Sequence, residues 1–368
     1  MTTHFDIFLA APPGLEDVLA DEAREAGFAN PQAVSGGVTT SGDWPDVWRA
    51  NLELRGAGRV LARIGSFRAF HLAQLDKRSR KFDWAAFLRP DVPVRVEVTC
   101  KESKIYHDRA ARQRVETAIR ETLGAPIESD APVRILVRIE DDLVTISLDT
   151  SGEPLHRRGH KEAIGKAPMR ETLASLFLRQ CGYDGTETVV DPMCGSGTFL
   201  LEAAERAAGL LPGRSRSFAF EMLANYDADA WQNMRSAIPA GAEGPPRFFG
   251  SDRDDGAIRS STANAKRAGV DALCEFRRAA VSDVMRPAGK TGLVMVNPPY
   301  GARIGNRKLL FALYGSFGQV MKDRFSGWRV GMITSDAGLA KSTGLPFKSG
   351  PPVSFGGLKV KLYQTGSL

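Results

Sequence analysis

Residues 189–203 read as a strand, a glycine turn and a helix in direct succession: Val189-Val190-Asp191-Pro192-Met193-Cys194-Gly195-Ser196-Gly197-Thr198-Phe199-Leu200-Leu201-Glu202-Ala203. Glycines let the backbone take positive φ and pass close to a ligand. The helix start behind them offers free N–H groups to an anion. The surrounding pattern repeats the same grammar. Helices are expected at 168–181, 197–208, 255–268 and 309–325, and strands at 188–190, 247–251, 293–296 and 328–334. Alternation of this kind predicts an α/β fold with a doubly wound parallel sheet. The tail from Val353 to Tyr363 reads as a closing antiparallel pair.

The spacing also selects a ligand class. A dinucleotide loop asks for G-x-G-x-x-G, and the third glycine is missing. A phosphate loop asks for G-K-[ST], and there is no lysine. Asp191 instead ends its strand where a carboxylate can meet an ammonium group. The turn Pro192, Cys194, Gly195, Ser196, Gly197 and Thr198 then faces the amino-acid part of the ligand. A second acid ends the next strand: Asp252, with Asp254 as the fallback, can accept both hydroxyls of a ribose. A third, Asp283, can accept from an adenine amine. An ammonium, a carboxylate, a ribose and an adenine together describe S-adenosylmethionine. Cys194 reads as a small filler, since nothing near it in sequence lowers a thiol pKa.

Asn297-Pro298-Pro299-Tyr300 follows the apolar strand Leu293-Val294-Met295-Val296. An Asn side-chain carbonyl and a proline-held backbone carbonyl can accept both hydrogens of one exocyclic amine. The Tyr ring can stack on the base that carries it. Alone, the four residues are more simply a rigid turn. Behind the glycine loop and the spaced acids they read as a site for transfer to a base amine.

The first half has a different grammar. A strand from His4 to Ala10 precedes a helix from Gly14 with acids in its first turn, where the dipole favours them. A strand at Val34–Thr40 and a helix at Trp44–Asn51 complete a small α+β unit. A strand at Val92–Thr99, a helix at Asp108–Leu123 and a strand pair, Val133–Ile139 with Leu143–Leu148, follow. Charge is uneven. Residues 1–54 hold 2 basic and 9 acidic side chains, and residues 55–120 hold 16 basic and 7 acidic ones. Such a block suits a polyanion. Lys101, Lys104, Arg109 and Arg112 lie in it, and Arg157 and Arg158 in the glycine-rich stretch 151–160. The four cysteines stand far apart, so no metal site is expected. No stretch nears the ~20 apolar residues of a membrane span, and the N-terminus lacks the regions of a signal peptide. A cytoplasmic location is expected.

Together, D-P-M-C-G-S-G-T and N-P-P-Y-G resemble the THUMP-containing class I RNA guanine-N2 methyltransferases, most of all the bacterial 23S rRNA enzymes. Pro13-Gly14-Leu15-Glu16, Gly36-Gly37-Val38 and Ser103-Lys104-Ile105-Tyr106-His107 resemble that family's N-terminal region. The stretches 148–159 and 167–173 resemble its connector and the start of its methyltransferase domain. The resemblance implies a ferredoxin-like domain at 1–51, a THUMP domain at 52–150, a connector at 151–166 and a Rossmann-like methyltransferase domain at 167–368. In some members a second methyltransferase domain follows, and none is expected within these 368 residues. Ala302 stands where the family often has an acid. The implied reaction moves a methyl group from S-adenosylmethionine to guanine N2 in 23S rRNA, with Asn297 and the Pro298 carbonyl orienting the amine. Transfer RNA as substrate, adenine N6 as acceptor, and a non-catalytic RNA-binding or ribosome-assembly factor are the alternatives.

Overall fold

A computed structural model describes residues 4–161, 169–236, 244–245, 247–300 and 307–368. The connector residues 162–166, the stretch Ala167-Pro168 and the position of Ala302 lie outside the described residues.

Along the chain the first elements are β1 (Phe5–Ala10), α1 (Glu16–Glu25), β2 (Ala29–Val34), β3 (Gly37–Gly42), α2 (Trp44–Glu53), β4 (Val60–Arg68), α3 (Leu72–Lys81), β5 (Val94–Lys101), α4 (Asp108–Leu123), β6 (Val133–Glu140) and β7 (Leu143–Asp149). Then come α5 (Glu171–Gln180), β8 (Val189–Asp191), α6 (Thr198–Ala207), α7 (Ala228–Ser236), β9 (Phe248–Asp252), α8 (Asp255–Ala268), β10 (Cys274–Arg278), β11 (Leu293–Val296), α9 (Arg307–Arg324), β12 (Arg329–Thr334), α10 (Ala337–Ser342), β13 (Lys348–Phe355) and β14 (Leu358–Gln364).

The chain divides into two units. The first holds residues 1–11, 20–155 and 216–237. Its sheet runs β2-β3-β1-β4-β7-β6-β5 without a break. The expected ferredoxin-like and THUMP stretches therefore share one sheet, with β4 paired to β1 on one side and β7 on the other. The expected strand at Val34–Thr40 is a hairpin instead, β2 and β3 around Gly36 at φ 81. Alternation is strict where one face meets the core: Val133, Ile135, Val137 and Ile139 of β6 are all buried. Residues 216–237, expected within the methyltransferase stretch, group with this unit. Phe220 stacks on Trp48 at 6.0 Å, and its N–H donates to the Thr150 carbonyl at 3.1 Å. Trp231 packs edge-on against Phe220 at 5.0 Å. Phe218 joins the same cluster, 5.2 Å from Phe220 and 5.8 Å from Trp231.

The second unit holds residues 12–19, 156–215 and 238–368. Its sheet runs β10-β9-β8-β11-β12-β14-β13. The first five strands are parallel, and β14 is antiparallel to both its neighbours. This is the expected doubly wound sheet with its antiparallel closure. All four residues of β11 are fully buried. That explains why an unbroken Leu-Val-Met-Val run reads as a strand covered on both faces. Strand order reverses between β8 and β11. Ligands of open α/β sheets bind at the carboxyl ends of strands flanking such a reversal.

Candidate active site

The glycine turn begins where β8 ends. Its geometry is fixed by four backbone bonds. Met193 N–H donates to Asp191 Oδ1 at 3.1 Å, Cys194 N–H to the Ser251 carbonyl at 2.9 Å, Gly195 N–H to Asp252 Oδ2 at 3.1 Å and Gly197 N–H to the Cys194 carbonyl at 2.8 Å. Gly195 and Gly197 both take positive φ, 53 and 84. A Cβ on Gly197 would also come within 3.1 Å of Ser261 Cβ. A Cβ on Gly195 would meet no atom within 4 Å, so that side of the turn is open to a ligand. Gly197 is the N-cap of α6 and supplies no side-chain bond, which leaves first-turn N–H groups for a carboxylate.

Asp191 and Asp252 end adjacent parallel strands. Asp191 is 2% exposed. Burial pushes its carboxyl up to about 8; the Met193 N–H bond works against that rise and the nearby Asp252 adds to it. Among the described residues no basic side chain pairs with either acid. A buried carboxylate with no basic partner among the described residues favours an incoming cation, and Asp191 is such a group. A ligand ammonium is such a cation, and the donor set fits it. Asp254 has an ordinary role, since its carboxylate caps α8 through Gly256 N–H at 2.8 Å. Asp283 lies exposed in the turn Val281–Asp283 after β10 and accepts from Ser282 Oγ at 3.1 Å. Cys194 is buried, and burial raises its thiol well above the ordinary value.

Asn297 follows β11 directly, on the other side of the strand-order reversal from β9. Its Oδ1 is buried and accepts no hydrogen bond in the described structure. A buried carbonyl left so costs roughly 1–3 kcal/mol. An incoming N–H donor removes that cost. Tyr300 is half-buried against the core cluster, and burial raises its hydroxyl to about 12. It stays protonated at neutral pH and is no general base. Behind the motif, Tyr314 of α9 donates its hydroxyl to the Pro299 carbonyl at 3.3 Å and lies 3.3 Å from Thr334 Oγ1 at the end of β12. Asp336 N–H donates to the same Thr334 oxygen at 3.2 Å. α9 thus holds the turn through Tyr314, whose hydroxyl Thr334 of β12 helps to place.

Sequence reasoning missed Tyr314, Thr334, Lys161 and Asn264. Lys161 Nζ donates to Thr198 Oγ1 at 2.9 Å and to the Met169 carbonyl at 3.0 Å, and pairs with Glu171 at 3.1 Å. Asn264 Nδ2 donates to the Ser196 carbonyl at 3.1 Å. Both brace the glycine turn. No local pattern marks them, because their partners lie many residues away.

The basic residues divide. Arg158 is not a surface cation: it is 2% exposed and its guanidinium pairs with buried Glu202 at 3.1 Å. This corrects its expected RNA contact, because Glu202 on the inner face of α6 requires a buried partner. Arg157 is exposed. Burial and then the charges of Arg170 and Arg157 hold the neighbouring His156 down to about 4, so it adds no charge at neutral pH. Lys101 pairs with Glu140 at 3.2 Å, and Arg112 with Glu116 at 3.5 Å. Lys104 and Arg109 are exposed, and neither pairs with an acid among the described residues. No helix among the described residues is long and apolar enough to cross a membrane.

The chain is similar to known proteins over most of its length. Residues 158–348 match the family described as RMKL-like methyltransferase domain, and residues 6–61 match the RlmL ferredoxin-like domain. The chain is 32% identical, over 97% of its length and 95% of the other's, to a Synechocystis protein assigned as an RNA methyltransferase. It is 35% identical over 94% of its length to the ribosomal RNA large subunit methyltransferase K/L of Syntrophotalea carbinolica, and it spans only 51% of that protein. Among solved structures, a Listeria monocytogenes protein described as a predicted N6-adenine-specific DNA methylase superposes with TM-score 0.87 at 29% identity, over 100% of this chain and 97% of the other. SMU.472, assigned as a methyltransferase and solved with S-adenosylhomocysteine, superposes with TM-score 0.86 at 25% identity, over 100% and 99%.

Proposed function

Because this chain belongs to the RMKL-like methyltransferase family, we propose that it transfers a methyl group from S-adenosylmethionine to the exocyclic N2 amine of a guanine in 23S rRNA. S-adenosylmethionine supplies an electrophilic methyl group. Asp191 takes its ammonium, the open side of Gly195 and the start of α6 take its carboxylate, and Asp252 takes its ribose. Asp283 is the proposed adenine contact.

The observation that carries the acceptor side is the buried Oδ1 of Asn297, which accepts no hydrogen bond among the described residues. It accepts from the amine, and the Pro298 carbonyl is the proposed second acceptor. Those two bonds draw the nitrogen lone pair out of conjugation and aim it. Catalysis is then mostly positioning and electrostatics. The motif Asn297-Pro298-Pro299-Tyr300 itself carries no strong base. Ribosomal RNA is favoured by the K/L relatives, and guanine N2 by the resemblance of N-P-P-Y-G to that family. The motif alone suits adenine N6 equally, which is the reading attached to the Listeria structure.

The substrate is tested by supplying methyl-labelled S-adenosylmethionine and total RNA from cells lacking this gene. Label in the 23S fraction is expected. Label confined to transfer RNA, or to DNA in a parallel reaction, contradicts the proposal.

Tyr314 acts through the Pro299 carbonyl and so is a positioning residue. Tyr314→Phe is expected to lower kcat about tenfold, since misplacing a reacting group slows transfer without touching the rest of the site. KM for S-adenosylmethionine is expected to stay near wild type, and the melting temperature to fall by only roughly 2–4 °C as the Pro299 carbonyl loses its donor. A variant losing kcat and cofactor affinity together contradicts this role.

A further inference from the structure

One corner of the first unit displays aromatic rings to solvent on a fixed frame. Three loops meet there: the end of β4, the segment from β5 to α4, and the β6–β7 turn. Asp141 and Asp142 hold φ 50 and 61, as a two-residue hairpin turn of type I′ requires. Asp142 ties the other two loops to this turn. Its carbonyl accepts from Ala69 N–H at 2.9 Å, its carboxylate from Lys104 N–H at 2.8 Å, and its N–H donates to Ser103 Oγ at 3.1 Å. Buried Ile105 anchors the middle of the β5–α4 segment.

On this frame Tyr106 is 72% exposed, with its ring 4.1 Å from that of His107. Phe70 is 40% exposed, and the Lys104 ammonium lies 4.8 Å from its ring centre. The hydrogen bonds to Asp142 tie together the loops that carry these rings. Asp142 and Asp108 accept backbone N–H groups, and Glu102 and Glu140 pair with Lys101. Lys104 and the neighbouring Arg109 remain as cations without an acid partner among the described residues.

Exposed rings beside cations that lack an acid partner among the described residues suit unpaired nucleotides: bases stack on the rings and phosphates meet the cations. We propose that Tyr106 and Phe70 form a stacking platform for a single-stranded segment of the RNA substrate, with Lys104 and Arg109 on its phosphates. This rests on the RNA reading of the protein. It adds a place on the first unit where unpaired bases are held.

The test is binding of a fluorescent single-stranded RNA of about a dozen nucleotides, and of the corresponding duplex, to the full chain. Wild type is expected to prefer the single strand. Tyr106→Ala and Phe70→Ala are each expected to weaken single-strand binding about tenfold, with the salt dependence unchanged, because stacking carries no counterion release. Tyr106→Phe is expected to restore affinity. S-adenosylmethionine binding and melting temperature are expected to match wild type in all three. A double Ala variant that binds the single strand within twofold of wild type overturns the platform. So does a wild type that methylates ribosomal RNA yet ignores the single strand, or a double variant that loses only a ribosomal-protein contact. If wild type neither binds nor methylates any RNA, the RNA reading itself falls and the platform with it.

Discussion

Asn297→Ala is expected to lower the methyl-transfer rate by about 10²–10³-fold, the usual loss when one preorganised polar group at a reacting centre is removed. Cofactor affinity is expected to remain within about threefold of wild type, because Asn297 faces the acceptor. The Ala variant should also be no less stable than wild type in the absence of ligands. It removes a buried carbonyl that nothing in the described structure satisfies. Single-turnover kinetics with saturating cofactor, together with thermal melting, check both halves. A rate near wild type contradicts the assignment of Oδ1 to the amine.

Asp191→Asn is expected to weaken S-adenosylmethionine binding about 100-fold, since it leaves the ligand ammonium without its buried counter-charge. The same substitution is expected to stabilise the ligand-free protein at pH 8 and above. Asp191 has its carboxyl raised to about 8 by burial, against about 4 in an unfolded chain. The folded state thus holds a proton that the unfolded state has released between those pH values. Its contribution to stability is full below about pH 4 and is lost as pH rises through about 8. Asn carries no such loss. For binding, the ionised carboxylate is the competent form. Wild-type affinity is therefore expected to rise from pH 6 towards 8, with proton release on binding, and the Asn variant is expected to lack this component. Calorimetry in buffers of different ionisation enthalpy reads the proton release directly. Equal proton release by both proteins contradicts the account.

These two residues were legible before any coordinates, and for a physical reason. A carboxylate at a strand end, a glycine turn of positive φ and an Asn before two prolines are all local devices. Their spacing states the backbone they require. The boundaries of β11 and α8 were equally clear, because apolar runs and caps are local too. What stayed hidden depends on distant partners. Arg158 sits in a basic, glycine-rich stretch and reads as a surface cation, and only the fold brings it to Glu202, 44 positions away. Tyr314 lies on a helix face that meets Pro299 only after the sheet is assembled. Phe218, Phe220 and Trp231 pack on one another, and nothing local says which sheet takes the cluster. Tyr106 and Phe70 reverse the problem. They stand exposed, and the loops around them are tied together from three separate places in the chain.

The most direct measurement of the central claim is mass-spectrometric analysis of nucleosides from 23S rRNA of gene-deleted cells after incubation with the purified protein and labelled S-adenosylmethionine. The account predicts label in N2-methylguanosine with wild-type protein and its near absence with Asn297→Ala. Label in N6-methyladenosine, or equal N2-methylguanosine from both proteins, would contradict it.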